Sequence, residues 1–475
     1  MKKNKLVIFS FLLLTLSACQ KVMDIKETDF IGGDVALKTV ANNEQGIIGA
    51  YAGMNVEMGI LLNSVFSDEV KVAEFYNAAT VHEWQYASTD ISIRDSYTAF
   101  NLYYRIIDRV NRVLQALPGV AATTPAETAL KNRLTGEALF LRAYCHFELY
   151  RYYSNSAVSS DLAMAYMETP SLAPTSRITV GPYFIKLKAD LAAAKPLLPT
   201  ALTDIYRATA PAAAALQARV ALYQKEYANA IGFSTEYINA IPLAAAASFA
   251  GIWTGANSTE VAFKLSRTAS VGGKIGSLYR GTSASASNIG TVTWKPSDKL
   301  WNSYDQVTDV RFAAYFKSEP LLNVPGRDPK LINKYAGGAY GTSTENLADA
   351  VVFRTGEQYL IRAEAKAEGA DLVGAAADLN ALRAARITGY VNATFATKDQ
   401  LITAIMDERF KELPFEGHRF FDLKRRNLPV SRLAADAPNA AAMTLSAGNF
   451  RFLLPIPNVE IQANPVIQQN AGYTN

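Results

Sequence analysis

The sequence predicts a mainly α-helical protein in which helices pack in pairs, together with a large segment of loops and short strands. Apolar residues recur at intervals of three and four along several segments, and this spacing places them on one face of a helix. Segments 210–224 and 226–240 follow each other with almost no loop, and segments 357–368 and 372–386 are separated by three residues. Residues 242–350 lose the helical spacing and are rich in Gly, Ser, Thr and Ala, which indicates an irregular insertion.

The clearest helix is predicted over residues 130–152, where Leu134, Leu141 and Leu149 belong to one apolar stripe. Additional apolar residues widen this stripe, so the helix is expected to be packed on more than one side. Cys145 lies within the stripe, and we expect it to behave as a small buried hydrophobic residue.

Further helices are predicted over residues 44–54, 100–117, 182–198 and 398–412. Three segments resemble one another: GEALFLRAYCHFELY, AAALQARVALYQKEYANAI and EQYLIRAEAKAEGADLVGAAADLN. Each carries Ala positions where helices can approach closely, and the last two continue into a second helix as tetratricopeptide-like repeats do. Such units stack because a single helix pair cannot bury its apolar face alone.

The first residues have the pattern of an export signal. Three lysines precede the apolar run 6–16, which is too short for a membrane-spanning helix of about 20 residues. The run ends in Leu16-Ser17-Ala18-Cys19, which resembles a bacterial lipobox. That resemblance implies removal of residues 1–18 and acylation of Cys19, and two or three acyl chains suffice to hold a protein at a membrane. The alternative is an ordinary secretory signal followed by a chance cysteine.

Composition excludes several function classes. The chain has 47 basic and 43 acidic residues, and loss of the three leading lysines lowers its net charge from +4 to +1. No basic run remains that could bind a nucleic-acid backbone. With Cys19 acylated, Cys145 has no cysteine to pair with, and the three histidines show no metal-ligand spacing. We therefore predict no cofactor and no metal.

Four segments carry a resemblance to a known family. They are FNLYYRIIDRVNRVLQAL (100–117), GEALFLRAYCHFELYRYYS (136–154), ERFKELPFEGHRFFDLKRRN (408–427) and LLPIPNVEIQANPVIQQNAGY (453–473). In this order, after a lipobox, they resemble the SusD/RagB family of outer-membrane nutrient-binding lipoproteins from Bacteroidetes. Residues 242–350 show little resemblance to the family.

The resemblance implies a SusD-like fold of four tetratricopeptide-like helix pairs, an α-solenoid, with an irregular subdomain built on it. We expect a signal peptide at 1–18 and one SusD-like domain over 19–475. Within it we expect a repeat core at about 35–240 and 354–412, an insertion at about 242–350 and an irregular C-terminal segment at about 413–475. The resemblance also implies a cell-surface, lipid-anchored protein, monomeric when isolated, that partners a SusC-like TonB-dependent outer-membrane barrel.

The charged segment 408–427 invites an enzyme hypothesis, because Glu408 and Glu412 lie four residues apart on one helix face. Paired carboxylates can serve as acid and base in glycoside hydrolysis. Here they alternate with Lys and Arg, which would keep them ionised and paired. We favour a structural network, and in the family this segment is a hallmark of the fold. Its predicted members are Glu408, Arg409, Glu412, Glu416, Gly417, Arg419 and Asp422.

Sugar binding without catalysis requires exposed flat rings that stack on apolar sugar faces, together with polar side chains that bond to hydroxyls. The aromatic candidates lie outside the clear helical stripes and are Trp84, Tyr76, Tyr86, Trp294, Trp301 and Tyr304. Their predicted polar neighbours are Asn77, Asp90 and Arg94. The alternative is that these rings pack the irregular subdomain onto the helices.

The favoured hypothesis is non-catalytic capture of a nutrient oligosaccharide and its delivery to the barrel. A RagB-like protein that binds peptides is the second hypothesis. A repeat adaptor that binds only proteins and a surface glycosidase are the third and fourth.

Overall fold

The computed structural model describes residues 36–74, 79–154, 157–269 and 273–474. The predicted signal peptide and Cys19 therefore lie outside the described residues, as do the candidates Tyr76 and Asn77. Within the described ranges, no helix combines the length and apolar composition that a membrane crossing requires.

Helices dominate the structure, which confirms the predicted fold class. In chain order they are α1 Val40–Ala52, α2 Glu57–Phe66, α3 Ala79–His82, α4 Phe100–Ala116, α5 Pro125–Tyr153, α6 Val180–Ala194, α7 Ala210–Tyr223, α8 Tyr227–Ala240, α9 Ala246–Thr254, α10 Asp298–Trp301, α11 Val310–Tyr315, α12 Thr355–Glu368, α13 Leu372–Arg386, α14 Lys398–Glu412, α15 Arg419–Arg425 and α16 Asn458–Ala463. Short π and 3₁₀ turns, such as Ile93–Tyr97, connect some of them.

Several long helices begin at a threonine cap. The side chains of Thr39, Thr124, Thr209 and Thr397 each accept a hydrogen bond from the backbone N–H three residues later. Such a cap satisfies one of the free N–H groups of the first turn and stabilises a helix by about 1 kcal/mol. Local sequence thus sets the starts of α1, α5, α7 and α14.

The helices pack as stacked pairs. Helix α4 packs on α5 and α5 on α6, while α7 pairs with α8 and α12 pairs with α13. Contacts of α12 with α8 and α14 join these layers. The C-terminal half of α5 is buried throughout, and Cys145 lies in it as a free, fully buried thiol. Burial raises the pKa of that thiol, which agrees with an apolar packing role.

Short antiparallel strand pairs accompany the helices. They are β1 Val70–Val72 with β3 Trp294–Pro296, β2 Val261–Leu265 with β6 Ala350–Arg354, β4 Phe316–Ser318 with β5 Lys330–Ile332, and β7 Val430–Ser431 with β8 Thr444–Leu445. The insertion predicted to contain loops and short strands also contains α9, α10 and α11. These are too short to show a clear helical period in the sequence.

The apolar run at residues 450–454 resembles a strand in the sequence but does not form one. Residues Phe450–Phe452 form a 3₁₀ turn, and the side chain of Asn449 accepts a hydrogen bond from the N–H of Arg451. This side-chain cap stabilises the turn.

Candidate functional site

The charged segment at the end of α14 forms a buried ion network. Glu412 accepts hydrogen bonds from the guanidinium groups of Arg311, Arg354 and Arg386, with N–O distances of 2.9 Å from Arg311 Nη1 and Arg386 Nη2. All four side chains are almost completely buried. Burial alone would raise the pKa of Glu412, but the three guanidinium groups outweigh it and hold that pKa well below its usual range.

The network extends along the chain on both sides of Glu412. Glu408 bonds to Arg311 and Arg383, each at 2.6 Å. Glu416 bonds to Arg354 and to Lys334, each at 2.7 Å. Gly417 has a φ of +82°, a region that favours glycine, and its carbonyl accepts a hydrogen bond from Arg151.

The remaining members join α14 and α15 to the first helices. Arg409 bonds to Asp422 at 2.7 Å, and Asp422 also binds Arg425. Arg419 bonds to Asp68 at 2.8 Å, immediately after α2. The carboxylates of this network are ionised, buried and occupied by fixed cations, so they hold the fold together and are not free to act as acid or base on a substrate.

The structure corrects the aromatic prediction at Trp84 and Tyr86. Trp84 is 4% exposed, its indole N–H donates to the carbonyl of Phe66 at 2.9 Å, and Arg432 covers its ring at 4.3 Å. The Tyr86 hydroxyl donates to the carbonyl of Arg451 at 2.7 Å. Both rings are in the core and offer no face to a ligand.

The same correction applies to the rings of the insertion. Trp294 lies in β3, only 2% exposed, with its ring 5.3 Å from that of His82. Trp301 and Tyr304 pack on Phe316, and the Tyr304 hydroxyl donates to the carbonyl of Lys411 at 2.7 Å. The insertion folds back on the helices, so its rings build a core and cannot serve as stacking platforms in this structure.

The two described polar candidates occupy different positions. Asp90 accepts a hydrogen bond from the N–H of Ala87 at 2.9 Å and closes a local turn. Arg94 is exposed and pairs with Asp95 at 2.6 Å. Among the ligand-contact candidates that the structure describes, Arg94 is the one that lines a groove.

That groove follows the first turns of α4 and has two lobes. The first has a volume of about 520 Å³, with α4 residues including Tyr104 and Ile107 on one side, the 165–175 loop on another, and α16 with the chain after it on a third. The second has a volume of about 550 Å³ and is bounded by Met58, Arg94 and Val459. Volumes of about 300–1,000 Å³ are typical of small-molecule sites.

The walls of the first lobe are held in place by hydrogen bonds. The Tyr104 hydroxyl donates to the carbonyl of Ala165 at 2.9 Å, and the Asn111 amide donates to the carbonyl of Met167 at 2.9 Å. The ring of Tyr104 is half-buried and lies 5.0 Å from that of Phe100. These contacts fix the loop against α4, where it forms one wall of the groove.

Sequence reasoning missed this groove, although one signal was visible. Helix α4 carries Asn101, Arg105, Asp108 and Arg112 at intervals of three and four on the side opposite its apolar stripe. Such a stripe is usually a solvated face. This face becomes a groove wall because the chain returns to it after residue 457. No local sequence pattern predicts that return.

The described part of the chain contains no group of three His, Cys, Asp or Glu side chains arranged to hold a metal ion.

Two family models match the chain. The model described as "Starch-binding associating with outer membrane" matches residues 27–222, and the SusD family model matches residues 329–473. A curated relative, SusD-like protein P25 from Formosa agariphila, is 21% identical over an alignment 542 positions long. The alignment covers 100% of this chain and 99% of the relative.

Solved structures share the fold over most of the chain. A SusD superfamily protein from Bacteroides thetaiotaomicron has a TM-score of 0.80 and 23% identity, and covers 91% of this chain and 99% of its own. A laminarin-binding SusD-like protein has a TM-score of 0.71 and 22% identity, and covers 92% of this chain and 100% of its own. The family models at both ends, the full-length relative and the shared fold agree, and the chain is a member of the SusD/RagB family.

Proposed function

We propose that the protein captures oligosaccharide at the cell surface without cleaving it and passes it to a SusC-like TonB-dependent barrel. The observation that carries the proposal is the open two-lobed groove along α4, which combines half-buried aromatic surface with polar side chains. Sugar rings present apolar C–H faces and many hydroxyls, so they require both kinds of surface. Two neighbouring lobes that share lining residues suit a chain of sugar units better than a single small metabolite.

The carboxylates of the groove support binding without hydrolysis. A glycosidase needs two carboxyl groups across the scissile bond, about 5–9.5 Å apart. Asp95 is held by two hydrogen bonds from Arg94, and Asp108 is held by Arg112 at 2.8 Å. Glu460 is the one groove carboxylate without such a partner among the described residues, which leaves no second free carboxylate opposite it.

The relatives support a glycan as the ligand and the outer membrane as the location. One relative of the same fold binds laminarin, and one matching family model is named for starch binding and association with the outer membrane. Acylation at Cys19 would supply the anchor. Delivery to a barrel fits a groove that is open to solvent, because a captured chain must leave it again.

A binding experiment tests the capture function. The chain without its predicted signal peptide is titrated calorimetrically with defined oligosaccharides, including laminarin and starch fragments, and with peptides of similar size. We expect at least one oligosaccharide to bind. The substitution Ala463→Trp fills the first lobe and should weaken that binding by roughly tenfold or more, since each tenfold is about 1.4 kcal/mol.

The matched control is Ala381→Trp, which places the same ring on an exposed position of α13 away from the groove. Its affinity should equal that of the unchanged chain. Binding of peptides alone would favour the peptide hypothesis, and release of shorter sugars during the titration would favour the glycosidase hypothesis. Equal affinity of Ala463→Trp and Ala381→Trp for the oligosaccharide would show that it does not bind in the first lobe of the groove.

A further inference from the structure

Two walls of the first lobe come from parts of the chain that are far apart in the sequence. One is the 165–175 loop, and the other is α16 with the chain up to Ile467. Hydrogen bonds from Tyr104 and Asn111 hold the loop against α4, but they do not reach the second wall. Other tertiary contacts must therefore set the distance between the loop and the chain after α16.

The buried side chain of Arg177 ties these two walls together. It follows the loop by two residues, is 7% exposed and lines neither lobe. Its Nε donates to the carbonyl of Ala163 at 2.6 Å, which joins the two ends of the loop. Its Nη1 donates to the carbonyl of Gln468 at 3.1 Å and to Oδ1 of Asn470 at 2.8 Å, directly after the second wall. Its Nη2 donates to the carbonyl of Tyr153, the last residue of α5, at 3.1 Å.

The acceptors of these bonds are neutral oxygens, and no carboxylate pairs with Arg177 within the described part of the chain. The nearby Arg142 also donates to the loop, at the carbonyl of Glu168, but it is neutralised by Asp190 at 2.7 Å. Burial lowers the pKa of Arg177 to about 10, so its guanidinium stays charged at neutral pH. A guanidinium presents its donors in one rigid plane, and hydrogen bonds from a charged donor are strong. The bonds of Arg177 therefore fix the relative positions of the three segments that they join.

We infer that Arg177 is a positioning residue for oligosaccharide binding, which holds the 165–175 loop and the chain after α16 at the separation that the ligand requires. The inference rests on the proposed function. Because Arg177 lines neither lobe, it acts through the residues that do. A binding site needs its contact groups held to within about 0.5 Å by supporting hydrogen bonds. A change at Arg177 should therefore weaken binding although every contact residue is retained.

Arg177→Lys tests the inference, because lysine keeps a positive charge but replaces the planar fork with one flexible ammonium group. The probe is the laminarin or starch fragment that binds the unchanged chain most tightly. Calorimetric titration measures its affinity at a temperature well below the thermal midpoint of the variant, so that the variant is folded. We expect Arg177→Lys to bind the fragment about tenfold more weakly than the unchanged chain.

Arg432→Lys is the matched control, because Arg432 is a buried guanidinium of the same kind that lines neither lobe. It is 5% exposed and donates to the carbonyls of Val65, Ser67, His82 and Ala442. Both lysine variants should lower the thermal midpoint, but Arg432→Lys should keep the affinity of the unchanged chain. Full affinity of Arg177→Lys, or an equal loss of affinity in the two variants, would overturn the positioning role.

Asn470→Ala decides the question if either lysine variant does not fold. It removes one acceptor of the guanidinium, leaves Arg177 in place and should bind the fragment several times more weakly. Its control is Asn63→Ala, because the buried Asn63 also bonds to backbone groups, those of Gly59 and Phe421, and lines neither lobe. Equal affinity of these two variants would overturn the role.

The same titrations separate this inference from the proposed function. If the unchanged chain binds the fragment and Ala463→Trp prevents binding, but Arg177→Lys and Asn470→Ala bind with full affinity, the positioning role fails while the capture function stands. If the unchanged chain binds no oligosaccharide, the capture function itself fails.

Discussion

Replacing Glu412 by alanine is expected to lower the free energy of unfolding by about 3–5 kcal/mol, the range for breaking a buried ion pair. The change leaves the guanidinium groups of Arg311, Arg354 and Arg386 next to one another without the carboxylate that all three share. Their mutual repulsion and lost hydrogen bonds act in the same direction. Denaturant unfolding followed by circular dichroism measures the shift.

Two comparisons make this result specific to the network. Glu412→Gln keeps the shape of the side chain but removes its charge, and should fall between the alanine variant and the unchanged chain. Glu236→Ala breaks an exposed pair with Lys195, and exposed pairs contribute only about 0–1 kcal/mol. Equal destabilisation by Glu412→Ala and Glu236→Ala would show that the network does not hold the fold together.

Acid should unfold the protein steeply below about pH 4. The network carboxylates have folded pKa values below their ordinary range, and they are Asp68, Glu408, Glu412, Glu416 and Asp422. Because unfolding restores ordinary pKa values near 4, the unfolded chain takes up protons there that the folded chain does not. Their stabilisation is complete above about pH 5 and is lost as pH falls, by about 1.4 kcal/mol per pH unit for each proton.

Denaturant midpoints between pH 2.5 and 7 measure this effect. Glu69 works in the opposite direction, because burial raises its pKa to about 8 and its contribution falls as pH rises from about 5 to 8. We therefore expect the free energy of unfolding to pass through a shallow maximum and to fall steeply at lower pH. In Glu412→Gln the free energy of unfolding should fall less steeply on the acid side, by the contribution of about one proton. A midpoint that stays constant down to pH 3 would contradict the prediction.

The helices were predictable because their signals are local. Periodic apolar residues and short breaks place α7 and α8 within one position of their observed bounds, whereas α5 begins at Pro125, five positions before its predicted start. The charged segment of α14 was also recognisable as structural from its alternating signs. Its partners were not, since Arg311, Arg354 and Arg386 come from α11, β6 and α13 and only the tertiary fold brings them together.

The candidate groove was much less predictable. A tryptophan in an irregular segment gives the same sequence signal whether its ring is exposed or folded inward, and Trp84, Trp294 and Trp301 are all folded inward. The groove needs α4, the 165–175 loop and α16 at once. Each of these segments appears ordinary by itself, so the concave surface exists only in the assembled fold.

A crystal structure of the protein with its tightest-binding oligosaccharide would show where the ligand binds and whether it is intact. We expect an uncleaved sugar chain in the groove along α4. Sugar bound at another surface with this groove empty, or a cleaved product in place of the intact chain, would contradict it.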